Sequence, residues 1–305
     1  MNDRILFFLG TEKGYAVLKY LLKNGYKQNI GSVVTFKESN VEKSWHDDIM
    51  KACTDNQISC YMWPSIRKDL ISFIKEGKFC AAITISWIYL LPLEINLHFK
   101  YPLIVFHDSL LPKYRGFAPT PTAVINGENT IGLTALFASD DVDNGDIIEQ
   151  MEYRIDDAMY IKEIINGLSN LYGLVVCNIV QKIANGEKIE SRKQDESLAT
   201  YSIWRNLEDC RLDWSQSSKK IYDFIRAVGC PYPGAFSNYN GKKIIIEKSE
   251  IIDDKHFEIR DYGKIWSIKN NCPEVICGEG MIRIINASYE DGSRVVFNRL
   301  RCRLK

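Results

Sequence analysis

Short apolar runs alternate with amphipathic stretches over the first part of the chain. The strand-like runs cover residues 5–9, 30–34, 58–62, 80–85 and 103–106, and the helical spacings cover 15–22, 43–54, 66–74 and 161–183. Apolar runs of this length bounded by turn residues predict buried strands, and apolar residues three and four apart predict helices. Because the two alternate, the sequence predicts an α/β fold with a doubly wound, mostly parallel sheet covered by helices on both faces.

The segment 102–150 carries the densest group of reactive side chains. A strand-like run ends at His107, and the prolines and glycine within 112–121 predict a loop after it. A second strand-like run at 131–138 leads into an acidic loop at 139–146. The pattern puts an imidazole and several carboxylates at the ends of neighbouring strands, and open α/β sheets bind ligands at strand ends.

The composition of the chain changes after the long helix. Residues 185–203 are polar and lack periodicity, so they predict a linker between an N-terminal catalytic domain, residues 1–184, and a C-terminal domain, residues 204–305. The C-terminal part has a helical pattern at 218–228, strand-like runs at 243–247, 257–259, 265–268, 274–277, 281–285 and 295–297, a hairpin turn at Asn240-Gly241 and an alternating basic tail at 299–305. This spacing predicts a mostly β domain, either a small barrel or an open sheet.

Composition excludes several classes of protein. The formal net charge is +0, which argues against a strongly basic face that grips nucleic acid. The nine cysteines form no CxxC pair and the four histidines show no ligand spacing, so we expect reduced thiols and no metal site. No apolar stretch of roughly 18 residues predicts a membrane span, and the short N-terminal apolar run favours a strand over a signal peptide. A cytoplasmic protein is therefore expected.

Two motifs carry a resemblance to a known family. The run His107-Asp108-Ser109-Leu110-Leu111-Pro112-Lys113-Tyr114-Arg115-Gly116, followed by Asp143-Asn144-Gly145-Asp146, resembles the signature of the folate-dependent formyltransferases. Asp213-Trp214-Ser215 and the segment 226–235 resemble the start of the C-terminal domain in the tRNA and sugar branches of that superfamily. The resemblance covers most of the chain. It implies a formyltransferase-like variant of the Rossmann fold and a second domain of the OB or barrel type.

The resemblance also implies the reaction and its participants. It implies transfer of a formyl group from N10-formyltetrahydrofolate, a co-substrate, to an amine, with no metal. His107 and Asp143 match the catalytic positions of the family. An imidazole suits proton transfer because its ordinary pKa is near neutral, and a nearby carboxylate can favour its protonated form. The competing interpretation of His107 is a strand-end histidine bonded to the backbone, and Asp140, Asp141 and Asp146 compete with Asp143.

The formyl donor can be placed by resemblance alone. Ser86, Trp87, Ile88 and Leu91 match the loop that receives the pterin, and Asp140 and Asp141 would close the other side of the ring. Aromatic and aliphatic side chains suit a flat ring. The alternative is that Trp87 and Leu91 are ordinary core residues.

One position departs from the family pattern. Val105 stands where the family usually has an asparagine that helps to hold the formyl oxygen, and it shares a strand face with His107. A valine donates no hydrogen bond, and losing one such donor typically costs about two to three orders of magnitude in rate. Three interpretations follow: another donor replaces the asparagine, the chemistry is slower or hydrolytic, or the chain no longer catalyses.

The acceptor is expected to contact the loop after the catalytic strand. Its candidate ligands are Ser109, Lys113, Tyr114, Arg115 and Gly116, since an arginine can hold a phosphate and a tyrosine can stack on a base or sugar. The mixed charges of the linker disfavour a tRNA acceptor. The stretches YRGFAP and WRNLEDCRLDWS resemble the sugar branch, which implies a nucleotide-linked amino sugar and a role in polysaccharide biosynthesis.

Several alternatives stay open at this point. They are a methionyl-tRNA formyltransferase, a formyl-folate hydrolase and a non-catalytic binding protein of the same fold. The expected partners are small molecules, with no membrane, and a homodimer is possible. The basic tail, Arg299 to Lys305, is the feature that favours tRNA, although its alternation with apolar residues first predicts a terminal strand with one polar face.

Overall fold

The structure is a computed structural model that describes residues 3–39 and 43–305. The chain forms two compact units. The first comprises the residues up to Gly116 together with Gly132–Tyr153 and Asn166–Tyr201, and the second comprises Phe117–Ile131, Arg154–Ile165 and Ser202–Lys305. The second unit thus contains two segments that precede the predicted linker in the sequence.

A seven-stranded sheet forms the centre of the first unit. Its strands are β1 (Ile5–Leu9), β2 (Ile30–Thr35), β3 (Cys60–Met62), β4 (Ala81–Ile85), β5 (Ile104–His107), β7 (Thr130–Phe137) and β8 (Ile147–Arg154). They lie in the order β3-β2-β1-β4-β5-β7-β8. The pairs among the first five strands are parallel, whereas β5 and β7 pair antiparallel. The predicted mostly parallel sheet is confirmed, and β7 is its exception.

Alternate residues of β1 pack on opposite faces of the sheet. Ile5, Phe7 and Leu9 belong to a buried cluster that also holds residues of α1 (Thr11–Lys23), α2 (His46–Asp55) and α6 (Ile161–Ala184). Leu6 and Phe8 belong to a second cluster, with residues of α3 (Trp63–Ile66) and α4 (Leu70–Gly77). Because strand side chains alternate between faces, the continuous apolar run of β1 is what a strand covered on both sides requires.

The helix boundaries differ from the sequence prediction at three places. Helix α1 begins at Thr11 rather than at residue 15, directly after the extended Gly10. The predicted helix at 66–74 is two helices, α3 and α4. The proline-rich segment predicted as a loop contains helix α5 (Pro119–Ile125), because proline is tolerated in a first helical turn, where its missing N–H would have no partner.

The second unit contains a five-stranded antiparallel sheet. Its strands are β10 (Ala235–Tyr239), β11 (Lys242–Ile252), β12 (Ile265–Lys269), β13 (Cys272–Ile276) and β14 (Met281–Tyr289), in the order β10-β11-β14-β13-β12. Asn240 and Gly241 join β10 to β11 with positive φ angles of 51° and 79°, as a tight hairpin turn needs. Helix α7 (Ser218–Val228) has the predicted bounds. The predicted mostly β domain is confirmed.

Three predicted strands of the C-terminal part are wrong. Residues 257–259 and 295–297 both lie in the part of the chain that the structure describes, and neither segment forms a strand. The basic tail is not a continuous strand either, since Arg301 has a φ of 60°. The tail is instead tied by single backbone bonds, such as Leu304 N–H to the Gly263 carbonyl at 2.8 Å, and it buries Leu304.

Helix α6 is long and apolar enough, by length and composition, to cross a membrane. No such segment was expected from the sequence. Half of its most apolar window is buried inside the protein, and Tyr172, Val176 and Val180 lie in the core cluster of the first unit. A core helix of a soluble protein passes the same test, so this feature is weak support for a membrane span.

Candidate active site

The candidate site lies where β1, β4 and β5 end. These strands are parallel neighbours, so their carboxyl ends meet at one edge of the sheet. Strand β7 is antiparallel, and the acidic loop after it starts beside the beginning of β5, where Ala138 N–H donates to the Leu103 carbonyl at 2.8 Å. The acidic loop therefore has to run back along β5, and Asp143, late in the loop, reaches His107.

His107 is buried, with 7% of its surface exposed, and both ring nitrogens face oxygen atoms. Its Nε2 lies 2.7 Å from the Tyr114 backbone carbonyl and its Nδ1 lies 3.3 Å from Asp143 Oδ2. Both partners are acceptors, and a neutral imidazole carries only one N–H. Neutral His107 can therefore donate to one of the two, whereas the protonated ring can donate to both.

The Asp143 loop is held in a strained, tightly packed conformation. Asp143 has a φ of 54°, in the left-handed region, and its Oδ2 accepts the Gly116 backbone N–H at 2.9 Å. A Cβ on Gly145 would lie 1.7 Å from the Phe137 carbonyl oxygen, so this position has no room for a side chain. Strain of this kind persists only where the surroundings fix it, and it clusters at functional sites.

The segment predicted as a linker supports this loop. Gln194 Nε2 donates to the Asp143 carbonyl at 2.7 Å and to the Gly145 carbonyl at 2.8 Å, and its Oε1 accepts from Arg115 at 2.8 and 3.2 Å. Arg115 also makes two bonds to Glu196, at 2.7 and 2.8 Å. These bonds lower the pKa of the Glu196 carboxyl. Gln194 and Glu196 are thus part of the candidate site, a role that the polar composition of the segment did not reveal.

Arg115 was predicted to hold a phosphate of the acceptor. Its guanidinium is instead 2% exposed and bonded to Gln194 and Glu196, so it presents no free face to a phosphate. Its neighbours in the loop differ in access. Ser109 is buried and donates to the Lys113 carbonyl at 2.6 Å, whereas the Lys113 side chain is exposed. The geometry favours a structural task for Ser109 and Arg115.

Tyr114 and Gly116 form the central part of the same loop. Both have positive φ angles, 60° and 95°. Tyr114 N–H donates to Thr200 Oγ1 at 2.9 Å, and Arg115 N–H donates to the Thr200 carbonyl at 2.8 Å, which begins a short ladder between β6 (Arg115–Gly116) and β9 (Tyr201–Ser202). Through Thr200 the predicted linker also fixes the backbone carbonyl that His107 contacts.

A second group of side chains that sequence reasoning missed lies beside His107. Asp108 bonds Lys13 through Oδ2, and its Oδ1 accepts the Tyr172 hydroxyl at 2.6 Å. Burial opposes ionisation of Asp108, but the charge and hydrogen bond of Lys13, together with the Tyr172 hydroxyl, outweigh it and leave the Asp108 pKa below its ordinary value. Burial and the Asp108 charge raise the pKa of Tyr172 well above its ordinary value.

The residues predicted to receive the pterin adjoin a cluster of aromatic rings. Trp87 contacts Phe8, Phe36, Trp63 and Tyr89 edge-on, with ring centroids 5.1 to 5.6 Å apart. Ser86, at the end of β4, has a φ of 48°. Ile88 is 68% exposed, and Leu91 is half-buried against the same core cluster. Trp87 Nε1 is buried and donates to no group among the residues that the structure describes.

Val105, Asp140 and Asp141 complete the predicted site residues. Val105 is half-buried and packs against Leu111, Leu136 and Ile147. Asp140 and Asp141 are exposed in the acidic loop. Within residues 3–39 and 43–305, no group of three or more His, Cys, Asp or Glu side chains is arranged to hold a metal ion, and all nine cysteines are free.

Comparison with known proteins agrees with this architecture. Residues 4–171 match the profile of the formyl transferase family, and residues 206–300 match that of the formyl transferase C-terminal domain. The chain is 30% identical over 281 residues to methionyl-tRNA formyltransferase of Clostridium novyi, covering 91% of this chain and 89% of that one. It is also 30% identical over 296 residues to the bifunctional polymyxin resistance protein ArnA of Wigglesworthia glossinidia brevipalpis, covering 94% of this chain and 43% of that one.

Two solved structures show the same fold at low identity. The sugar 3N-formyl transferase WlaRD, in the presence of dTDP and 5-N-formyl-THF, superposes with a TM-score of 0.67 at 21% identity over 95% of this chain and 99% of that one. The N-formyltransferase of Helicobacter canadensis, in complex with folinic acid and dTDP-3-aminofucose, gives a TM-score of 0.68 at 20% identity over 92% and 98%.

The fold and the family profiles together define the class: an α/β enzyme of group transfer with an antiparallel C-terminal domain. The chain belongs to the formyl transferase family, since one profile covers more than half of it. The predicted enzyme class is thereby confirmed: a formyltransferase that uses a formyl-folate as its donor.

Proposed function

We propose that this enzyme transfers the formyl group of N10-formyltetrahydrofolate to the amino group of a nucleotide-linked amino sugar. Formyl transfer is supported by the contact between His107 and Asp143 in a buried site. The sugar acceptor is supported by the neutral chain and by the mixed charges of residues 187–196, where Lys188, Arg192 and Lys193 alternate with acidic residues. A tRNA ligand would favour a continuous basic surface.

His107 is the proposed proton-transfer group. Attack by an amine requires loss of a proton from nitrogen and stabilisation of negative charge on the formyl oxygen. Asp143 Oδ2 faces His107 Nδ1 at 3.3 Å and is itself held by Gly116 N–H. A carboxylate in this position can accept the Nδ1–H and so fix the orientation of the ring. In its neutral form His107 has one unprotonated ring nitrogen that can take up a proton, and presenting an N–H to the formyl oxygen would require Nε2 to exchange the Tyr114 carbonyl for the substrate.

Val105 leaves the formyl oxygen without the amide that the family usually supplies. Its isopropyl group packs with Leu111, Leu136 and Ile147 and offers no hydrogen. We infer that His107 or a backbone N–H of the loop after β5 stabilises the charge instead. The same residue is also what favours the hydrolase and the non-catalytic alternatives.

Ser86, Trp87, Ile88 and Leu91 are proposed to hold the pterin of the folate, which places the neighbouring N10 and its formyl group in the site. The exposed aliphatic surface of Ile88, beside the aromatic cluster around Trp87, is the feature that fits a flat heterocycle. Asp140 and Asp141 are proposed to close the other side of the ring. When bound, the folate supplies an activated formyl group.

Lys113, Tyr114 and Gly116 are proposed to contact the acceptor. Lys113 is exposed and can meet a phosphate as a point charge, and the half-exposed Tyr114 ring can stack on a base or sugar. Ser109 and Arg115 are proposed to act indirectly by fixing the loop, because both are buried and bonded within the protein. The proposed location is the cytoplasm, and a homodimer is the proposed assembly.

A second candidate is methionyl-tRNA formyltransferase. It is favoured by sequence relatives of that name, of which the Clostridium novyi enzyme covers 91% of the chain, and by the basic tail Arg299–Lys305. The two candidates make different predictions about salt. Binding of tRNA releases counterions from its phosphates, on the order of six or more for a typical interface. The affinity for tRNA, and with it the rate of formylation, would therefore fall steeply between about 50 and 200 mM salt. A sugar nucleotide with two phosphates would give a shallow dependence.

The deciding experiment measures tetrahydrofolate release from N10-formyltetrahydrofolate with no acceptor, with nucleotide-linked amino sugars, and with methionyl-tRNA. We expect release to require one amino sugar. Release that requires methionyl-tRNA would replace the sugar by tRNA. Release without any amine would identify a hydrolase, and folate binding without release would identify a binding protein.

A further inference from the structure

Three side chains from separate elements converge behind His107 in the first unit. Lys13 comes from the first turn of α1, Asp108 follows β5, and Tyr172 comes from the middle of α6. The two oxygens of Asp108 are bonded one each, Oδ2 to Lys13 and Oδ1 to the Tyr172 hydroxyl at 2.6 Å. The Lys13 ammonium also lies 5.5 Å from the centre of the Tyr172 ring.

The surroundings make this group rigid. Tyr172 is 2% exposed within the core cluster and stacks on Phe106, with ring centroids 5.5 Å apart. The side chains of Lys13 and Asp108 are 13% and 18% exposed. Removing charges from water is costly, and a buried ion pair is tolerated only with close geometry and further hydrogen bonds. Such pairs often contribute little net stability, so stability alone is a weak reason for this group.

The position of Asp108 in the chain, directly after His107, indicates that this group does something other than stabilise the fold. Asp108 is the residue after His107, so fixing both carboxylate oxygens fixes the peptide that carries the imidazole. Phe106, the residue before His107, is held by the Tyr172 ring. His107 is thus flanked on both sides by residues anchored on one tyrosine, while its ring must stay within hydrogen-bonding distance of Asp143.

We propose that Asp108, Lys13 and Tyr172 act as positioning residues that hold the end of β5 so that His107 faces Asp143. The proposal rests on the proposed catalytic role of His107. Neither Lys13 nor Tyr172 needs to touch either substrate. A misplacement of about 1 Å at a reacting group can lower the rate about a hundredfold. An effect of that size on the rate can outweigh the free-energy cost of partly burying the charges of Lys13 and Asp108.

The test uses Tyr172→Phe, with Tyr101→Phe as the matched control. Tyr101 is also buried in the first unit, and its hydroxyl donates to the Glu187 carbonyl at 2.9 Å. Each substitution removes one hydroxyl and keeps the ring. We expect Tyr172→Phe to lower kcat about tenfold with both KM values nearly unchanged, whereas Tyr101→Phe lowers Tm without affecting kcat. Equal kcat in the two variants would overturn the proposal.

A double substitution that removes one positive and one negative charge distinguishes an effect on the position of His107 from an effect on the stability of the fold. Lys13→Met and Asp108→Asn each leave a partner charge partly buried and unpaired, so each should lower Tm. The double variant removes both charges, and Lys23→Met, an exposed lysine of the same helix, is the control. We expect the double variant to recover Tm but not full kcat, because residue 108 loses its link to α1 even though an asparagine there can still accept the Tyr172 hydroxyl. Recovery of both would show that the group serves stability alone.

An NMR measurement on the free enzyme, without substrates, tests whether the anchor positions His107 independently of whether His107 is catalytic. The imidazole ¹⁵N resonances of His107, identified by their loss in His107→Ala, report the hydrogen bonds of both ring nitrogens. We expect them to move in Tyr172→Phe and to stay in place in Tyr101→Phe. If they stay in place in both variants, the anchor does not act on His107. If they move but His107→Ala keeps full turnover, the anchor stands and the catalytic role of His107 fails.

Discussion

The Gln194→Leu substitution tests whether the predicted linker belongs to the active site. Gln194 makes four hydrogen bonds, two as donor to the Asp143 and Gly145 carbonyls and two as acceptor from Arg115. Leucine keeps the approximate volume and removes all four. The loss leaves two carbonyl groups and part of a buried guanidinium without partners, and each unsatisfied buried group costs about 1–3 kcal/mol.

The expected cost in stability is smaller than the simple sum. Arg115 keeps its two bonds to Glu196, and the carbonyl groups can gain water when the loop relaxes. We therefore expect the free energy of unfolding to fall by about 2–4 kcal/mol. The relaxed loop no longer holds Asp143 against His107, so kcat should fall about 10- to 100-fold.

Urea denaturation and steady-state turnover at a temperature well below Tm measure the two effects separately. Gln181→Leu is the matched control, because Gln181 is an exposed glutamine on α6 of the same unit. A Gln194→Leu enzyme with the stability and kcat of the Gln181→Leu control would refute the reasoning. It would return residues 185–203 to the role of a passive connection.

Three further predictions concern single positions. Gly145→Ala places a Cβ 1.7 Å from the Phe137 carbonyl oxygen, so the loop must move. We expect the free energy of unfolding to fall by about 1–3 kcal/mol and most turnover to be lost. A wild-type kcat would show that the loop adapts to the added methyl group. Val105→Asn puts an amide donor beside His107, where we infer that another donor already serves the formyl oxygen; we therefore expect kcat to change by less than about tenfold while Tm falls because a polar group enters an apolar contact, and a rise in kcat of about 100-fold or more would contradict that inference. Hydrogen bonds from Ser267 and Arg283, with Lys269, lower the pKa of the Glu274 carboxyl to about 2. A carboxyl group whose pKa is lower in the folded than in the unfolded state stabilises the folded state when the pH lies above its ordinary pKa. For Glu274 this stabilisation, up to about 3 kcal/mol, is complete above roughly pH 5 and is lost as the pH falls toward 2. Glu274→Gln should flatten that part of the pH–stability curve, and an unchanged curve would contradict the pairing.

The sheet and the two main motifs could be predicted because their signals are local. The apolar run Ile5–Leu9 became β1 with the predicted bounds, and the helical pattern of residues 218–228 became α7 with the predicted bounds. In both, each residue's preference agrees with its final environment. Asn240-Gly241 is similarly reliable, because few dipeptides accept two successive positive φ angles.

The missed parts of the site depend on contacts between distant residues. Gln194 lies 51 residues from Asp143 and 79 from Arg115, and Tyr172 lies 64 residues from Asp108. Nothing in a polar stretch or in an amphipathic helix distinguishes a side chain that will meet a partner so far along the chain. A buried arginine also looks the same in sequence as an exposed one, which is why Arg115 was expected to hold a phosphate.

The direction of β7 was not predicted from the sequence. The sequence places Asp143 after a strand, and alternating strands and helices favour parallel pairing. The connection from β5 to β7 contains the two-residue β6 and the short α5, however, and β5 and β7 pair antiparallel. The prediction that Asp143 lies near His107 still came from the family motif, while the route by which the loop reaches His107 required the structure.

The most direct test of the proposed function is to identify the formylated product. The enzyme would be incubated with N10-formyltetrahydrofolate and a panel of nucleotide-linked amino sugars, with His107→Ala in parallel and mass spectrometry as the readout. We expect one sugar nucleotide to gain a formyl group, seen as an increase in mass that is absent with His107→Ala. Formylation of methionyl-tRNA with every sugar left unmodified, or full formylation by His107→Ala, would contradict it.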